Sequence, residues 1–281
     1  LNPEALHLLL TRALEEDVRE GDHTSLACIP ADASGHAILL VKDEGILAGL
    51  PVADAVFQLV DPNLQVEYLM QEGEAMHKGD IAFKVSGSAI SILTAERLVL
   101  NCMQRMSGVA SLTRKYVDAV AGTHAKVIDT RKTTPGIRLL EKYAVTVGGG
   151  ANHRMGLYDM IMVKDNHVDF SGGIAKAVER VHQYLQQKNL DLKIEVETRN
   201  LEEVRQVLEV GGIHRIMLDN YTPELMREAI QLIDGQYETE ASGGIKLDTI
   251  RSFAETGVDF ISVGALTHSA VSLDLSLKAS F

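Results

Sequence analysis

Cysteine, tryptophan and basic charge are all scarce in this 281-residue chain. The two cysteines, Cys28 and Cys102, are too few for a disulfide framework or a thiolate metal cluster, and a reducing cytoplasm is the setting they suggest. Against 39 Asp and Glu stand 27 Lys and Arg, a net charge of −12, which argues against any general attraction to nucleic acid or an anionic membrane. An anionic ligand must therefore be captured locally. No apolar run approaches the ~20 residues needed to cross a bilayer, and the first residues lack the charged-then-apolar layout of a signal peptide. What remains, 46% hydrophobic and 23% charged, is the composition of an ordinary globular protein, large enough for one α/β domain or a barrel with a smaller companion.

Within that acidic chain one stretch, DTRKTTPGIRLLEKYAVTVGGGANHRMGLYDMIMVKDNH (129–167), gathers Arg131, Lys132, Arg138, Lys142, Arg154 and Lys164, with His153 and His167, around three consecutive glycines. Cations concentrated this way suggest a pocket for a small, highly charged anion. The local pattern reads as a strand from Ala125 to Thr130, a helix from Thr134 to Val147 and a strand from Asp159 to Lys164. Arg131, Lys132 and Lys164 then fall at strand ends, where parallel α/β sheets and barrels present their chemistry. The competing reading is a set of surface charges solvating a loop. That reading suits a polar helix face better than cations set beside strands and glycines.

Taken in order, Pro3 to Glu16 carries Leu6, Leu9, Leu10 and Leu14 at helical spacing. Asp22, His23, Thr24 and Ser25 follow Gly21 and read as a turn rather than a polar site. From Gly35 to Ser91 come short strands and turns, with a helix at PVADAVFQLV. The phrase EGEAMHKGDIAFKVSG (72–87) resembles the hairpins of biotinyl and lipoyl carrier domains, in which a lysine at a tight turn is modified. Lys78, however, is followed by Gly79 and Asp80 and reads as the turn between two strands. Ala95 to Ala121 is a long helical passage interrupted at Ser107 and Gly108, a hinge between two parts of the molecule. Arg97, set among apolar neighbours, needs an anionic partner: Glu96, another carboxylate or a ligand.

Beyond the hinge, strand-like runs at AKVIDT, DMIMVK, KIEVET, RIMLDN, QYETEAS and DFISVG alternate with helical runs, and the last four recur every 21 or 22 residues. Repeated β-α units of this length imply a parallel sheet with right-handed crossovers. Six strands are fewer than the eight of a closed barrel, so the expectation is an open α/β barrel, with a doubly wound sheet as the alternative. The strand ends read TRK, VKDNH, EVET, LDN, ASGG and SVGA. Two supply cations, two supply carboxylates (Glu195 or Glu197, and Asp219), and two supply small residues. Glu195 and Glu197 face the same side of their strand, and Glu197 lies nearer its end. Glycines at the last two ends let backbone N–H groups approach a phosphate. Asp219 and Glu197 suit ribose hydroxyls and a Mg²⁺ held directly or through water. No Ser-His-Asp or Cys-His arrangement suggests covalent catalysis.

The motifs DTRKTTPGIRLLEKYAV, GGGANHRMGLYDMIMVKDNH, IMLDN, EASGGI and GVDFISVGAL, with EGDHTS and ERLVLN before them, resemble the decarboxylating quinolinate phosphoribosyltransferase family over nearly the whole chain. Departures are small: Thr134 and Ile137 stand where that family often has leucine. The resemblance implies an N-terminal α/β sandwich (1–108) and an open α/β-barrel phosphoribosyltransferase domain (109–281), assembled as a homodimer or a set of dimers. It implies phosphoribosyl transfer from phosphoribosyl pyrophosphate to quinolinate in NAD biosynthesis, with Mg²⁺ as cofactor. Thr130, Arg131, Lys132, His153, Arg154 and Lys164 are then expected around quinolinate, with Arg97 entering from the partner subunit. Glu197 and Asp219 face the ribose and Mg²⁺, while Ser242, Gly243, Gly244 and Gly264 receive the 5′-phosphate. Lys132, Glu197 and Asp219 are the expected catalytic residues. Lys132 is favoured over His153 as the proton source after CO₂ leaves. Related nicotinate-specific enzymes and a molybdenum-transport-associated branch share the fold, but the full TRK and NHR sets favour a dicarboxylate substrate.

Overall fold

The computed structural model describes residues 1–280. In chain order its elements are α1 (Pro3–Asp17), α2 (His23–Cys28), β1 (Ser34–Val41), β2 (Gly45–Ile46), α3 (Leu50–Val60), β3 (Gln65–Tyr68), β4 (Ala75–Met76), β5 (Ile81–Ser88) and α4 (Ala89–Ala119). There follow β6 (Lys126–Ile128), α5 (Arg138–Val147), β7 (Ile161–Val163), α6 (Asp165–Ser171), α7 (Ile174–Lys188), β8 (Ile194–Thr198) and α8 (Leu201–Val210). The remainder is β9 (Arg215–Asp219), α9 (Pro223–Ile233), β10 (Glu238–Ser242), α10 (Ile250–Ala254), β11 (Phe260–Ser262), α11 (Ala265–His268) and β12 (Leu275–Ser280). Two compact units result: one contains Leu1–Arg114, Thr133–Gly149 and the segment from Leu266, and the other contains Lys115–Lys132 and Gly150–Ala265.

The first unit is built on an antiparallel sheet ordered β12-β1-β5-β3. Alternation along β1 buries Ala37, Leu39 and Val41, and Leu39 is paired with Phe83 on one side and Leu277 on the other. Phe57 of α3 meets Phe83 edge to face at 5.7 Å between ring centroids, so the helix covers that apolar face. Asp22 does not sit in a plain turn: its side chain accepts from the Ser25 N–H and caps α2. Lys78 lies in a turn, as expected, with Gly79 at φ +102°. The strands on either side of it are not a hairpin, because β4 pairs with β2 while β5 pairs with β1 and β3.

The expected hinge is also absent, since α4 runs through Ser107 and Gly108 without a break. Both residues serve packing instead. The buried Ser107 hydroxyl accepts from the Ala48 N–H at 3.0 Å. A Cβ on Gly108 would stand 2.1 Å from the Val271 carbonyl oxygen, so only glycine lets that strap of chain approach. Among the described residues no helix is long and apolar enough to cross a membrane.

All six expected strands form in the second unit, as one parallel sheet ordered β6-β11-β10-β9-β8-β7. Neighbouring strands follow one another in the chain except at β6 and β7, which are consecutive among these six strands yet occupy the two edges. This is an open α/β barrel, unclosed between its first and second strands. The segment joining those strands contains α5, which belongs to the other unit. α5 starts at Arg138 rather than Thr134 because Pro135 and Gly136, the latter at φ +87°, hold the chain in a turn. Helix ends elsewhere follow the sequence signals: Thr222 caps α9 with Pro223 behind it, and Gly211 stops α8. Gly108→Ala is expected to cost about 1–3 kcal/mol of stability through overpacking, seen as a lowered denaturant midpoint; an unchanged midpoint would contradict the close approach.

Candidate active site

Parallel pairing decides which side chains share a face. Val163 pairs with Val196, Thr198 with Leu218, Ser242 with Asp219, Glu240 with Phe260 and Ser262 with Ile128. Because side chains alternate, positions 164, 197, 219, 242, 264 and 130 all fall on one face, at the C-terminal ends of six strands. The structure thus brings Lys164, Glu197, Asp219, Ser242, Gly264 and Thr130 into one ring. The opposite face carries Val127, Ile194, Val196, Ile216, Leu218, Ala241 and Ile261, all buried. Strand β8, Ile-Glu-Val-Glu-Thr, is buried throughout and shows the rule plainly: apolar or hydroxyl-bearing residues on one face, acids on the other.

Around the ring the polar groups are held individually. Lys164 Nζ lies 3.4 Å from Glu197 Oε2, and the Lys164 N–H donates to His167 Nδ1, so His167 caps α6. The Lys132 N–H donates to Thr130 Oγ1 at 3.0 Å, while the side chains of Arg131 and Lys132 remain exposed. Arg154 donates to the Met160 carbonyl at 3.1 Å and reaches Met162 Sδ. Burial, and then the nearby Arg131 charge, lower its guanidinium pKa, which puts both arginines in one neighbourhood. Asp219 accepts from the Asn220 amide at 2.6 Å. Gly243, at φ +98°, packs so closely on Asn220 that a Cβ would meet its Oδ1 at 2.3 Å; Gly244, at φ +62°, faces open space. Arg138 and Lys142 belong with α5 in the other unit. Arg97 stands exposed on α4 and has no carboxylate partner among the described residues, so of the alternatives open for it the ion pair with Glu96 does not form.

The His153 side chain is 5% exposed, with Nε2 3.0 Å from Glu195 Oε2 and 3.2 Å from Glu240 Oε2. Its other ring nitrogen, Nδ1, accepts the Arg154 N–H at 2.6 Å, so the ring proton sits on Nε2 between the two acids. The His153 N–H in turn donates to the buried Asp129 carboxylate at 2.9 Å. Arg215, one strand over, reaches Glu240 and Glu238, both at 3.0 Å, and stacks on Phe260. These groups lie one layer below the ring, on the same face. The sequence reading passed over Glu195 for Glu197 and did not consider Glu240 or Arg215; the even spacings 240–242 (two residues) and 215–219 (four residues) were the available signal.

Burial lowers the His153 pKa and Glu195 and Glu240 outweigh it, a pull upward, but a second proton on Nδ1 would break the bond from the Arg154 N–H, so the contacts described are those of the neutral ring protonated on Nε2. For Glu195, burial and then the Glu240 charge dominate and raise it to about 7 against His153 and Arg215. Burial also pushes Glu240 up, yet His153 and Arg215 more than offset it, and it stays lowered. His153, Glu195 and Glu240 come within metal-ligand distance of one another. The charge count accounts for them without a cation, because two acids face Arg215 and a shared proton.

Both halves of the chain match family models: residues 22–107 match the quinolinate phosphoribosyl transferase N-terminal domain, and residues 109–278 match its C-terminal domain. A nicotinate-nucleotide pyrophosphorylase [carboxylating] of Arabidopsis thaliana chloroplasts is 49% identical over 97% of this chain and 82% of its own length. A probable enzyme of the same name from Bacillus subtilis (strain 168) is 42% identical over 100% of this chain and 95% of that protein. The crystal structure of NadC from Streptococcus pyogenes superposes with a TM-score of 0.94 at 40% identity, covering 100% of this chain and 98% of that one.

Proposed function

The chain belongs to the quinolinate phosphoribosyl transferase family, and from that membership we propose how its strand ends share the decarboxylating transfer of a phosphoribosyl group to quinolinate. The reaction joins quinolinate to phosphoribosyl pyrophosphate and yields nicotinate mononucleotide, pyrophosphate and CO₂ in NAD biosynthesis. The observation that carries the proposal is the 3.4 Å approach of Lys164 to Glu197 at adjacent strand ends, with Asp219 on the next strand. A cationic side and an acidic side thus meet in one ring. The cationic side suits a dicarboxylate, and the acidic side suits a ribose.

On this reading Arg131, Lys132, Arg154 and Lys164 receive the two carboxylates of quinolinate, with Thr130 beside them. Each ion pair at 4 Å is worth about 4 kcal/mol at an effective dielectric of 20 before desolvation is subtracted, so several are needed to extract a dianion from water. The 5′-phosphate lies against Ser242, Gly243, Gly244 and Gly264, where positive backbone φ angles at Gly243 and Gly244 leave N–H groups unscreened by side chains. Glu197 and Asp219 face the ribose. They stabilise the cationic character that C1 gains as the pyridine nitrogen attacks and pyrophosphate departs. CO₂ then leaves C2 of the pyridinium, the electron pair stays on C2 where the adjacent N⁺ stabilises it, and Lys132 supplies the proton that this carbon takes up.

Two carboxylates offer the oxygen ligands that Mg²⁺ prefers, and its usual manner of binding through one or two carboxylates plus substrate phosphates fits Glu197 and Asp219. When bound, the ion neutralises charge on the departing pyrophosphate. Cys28 and Cys102 are both free thiols, which suits the reducing cytoplasm. We also infer a homodimer or an assembly of dimers, in which Arg97 acts in the partner's site. Its exposure without an internal carboxylate supports this role.

Incubation with quinolinate, phosphoribosyl pyrophosphate and Mg²⁺ is expected to give nicotinate mononucleotide and CO₂, with quinolinate strongly preferred to nicotinate. Turnover of nicotinate in preference would overturn the dicarboxylate reading. Mixing inactive Arg97→Ala with inactive Lys132→Ala is expected to restore about a quarter of wild-type activity, the share of intact sites in a random dimer population. Recovery of nothing after demonstrated subunit exchange would remove Arg97 from the shared site.

A further inference from the structure

His153 lies in a motif made of cations, yet both of its ring nitrogens face groups of the protein, Nε2 within ion-pair distance of two acids but without an aligned hydrogen bond to either. Nε2 faces Glu195 and Glu240, and Nδ1 accepts from the Arg154 backbone. Glu195 and Glu240 have no solvent exposure, and neither oxygen of Glu195 accepts a well-aligned hydrogen bond among the described residues. Two buried acids side by side are costly, and the fold tolerates them only where their charge does something for a neighbour. Here the neighbours are the imidazole from one direction and Arg215 from another. Arg215 is itself held by Glu238 and the Phe260 ring.

We propose that Glu195, Glu240 and Arg215 form a buried clamp that fixes the His153 ring and, through its Nδ1, sets the backbone from which Arg154 reaches the anionic substrate. Glu195, Glu240 and Arg215 act through the ring and are positioning residues. The path is short. The clamp holds Nε2, Asp129 holds the His153 N–H, and the ring holds the Arg154 N–H, so the peptide before Arg154 is pinned from three directions. The Arg154 guanidinium, secured on Met160 and Met162, then has little freedom to swing. An arginine fixed before the ligand arrives loses less entropy in binding it, which lowers the KM for that ligand without changing the chemical step.

The inference rests on Arg154 contacting quinolinate, and the test separates the two. Arg154→Ala is expected to raise the quinolinate KM at least tenfold, a size typical of a hydrogen bond to a charged group. An unchanged KM in that variant would overturn both the contact and the clamp. Glu195→Gln keeps the shape of the side chain and leaves the Glu240–Arg215 pair intact, so it is the variant expected to remain folded. It should raise the quinolinate KM about tenfold, with kcat and the phosphoribosyl pyrophosphate KM moving less than about twofold. In a His153→Gln background the same change should add less than about twofold, because the part it acts through is gone. The clamp is overturned, with the Arg154 contact left standing, if Glu195→Gln leaves the quinolinate KM alone. It is equally overturned if the variant shifts both KM values and kcat together, or keeps its full effect without His153.

Discussion

Charge placed on the inner face of a parallel sheet is the constraint on which the rest of this structure depends. Strand side chains alternate, so once Val196, Leu218, Ala241 and Ile261 are committed to the apolar face, Glu197, Asp219 and Ser242 have no choice but the other. That face cannot be filled with hydrocarbon and still bind anions. It is filled with ions, in two layers: an upper one open to ligand, and a lower one in which His153, Glu195, Glu240 and Arg215 neutralise one another. An unpaired buried ion costs several kcal/mol even after relaxation, so the lower layer holds together only as a set.

The same alternation explains what could be read from the sequence. The six strands, their parallel order and the ring of Lys164, Glu197, Asp219, Ser242 and Gly264 follow from period and spacing, which are local properties. Three features did not. β12 pairs with β1 across nearly the whole chain, and no local signal marks such a partner. The Ser107–Gly108 pair weakens a helix by propensity, yet tertiary packing against Ala48 and Val271 overrides that preference. His153 carries no mark of its orientation, because histidine beside arginine looks the same whether its ring faces ligand or core.

Glycines show where local chemistry and distant packing agree. Gly243 must be glycine twice over, by its positive φ and by the Asn220 side chain lying against it. Asn220, itself at φ +58°, donates to Asp219 and so ties the Gly243 turn to the acidic side of the ring. Two adjacent strand ends therefore behave as one rigid corner. Gly244 next door has open space around it and is constrained by backbone angle alone.

In the open barrel the first strand, β6, finds its neighbour in the last, β11, and among the described residues its other edge is bridged only at Ile128 to Ala151. A ribosome delivers β6 long before β11 exists. During that interval the apolar side of Val127 has no sheet to join, and the strand must wait, exposed or shielded by a holding protein, until the whole unit has been synthesised. A chain interrupted before Phe260 would carry Lys164, Glu197, Asp219 and Ser242 on strands that pair with one another, and would leave β6, with Thr130 beyond its end, without the neighbour that brings it into the sheet.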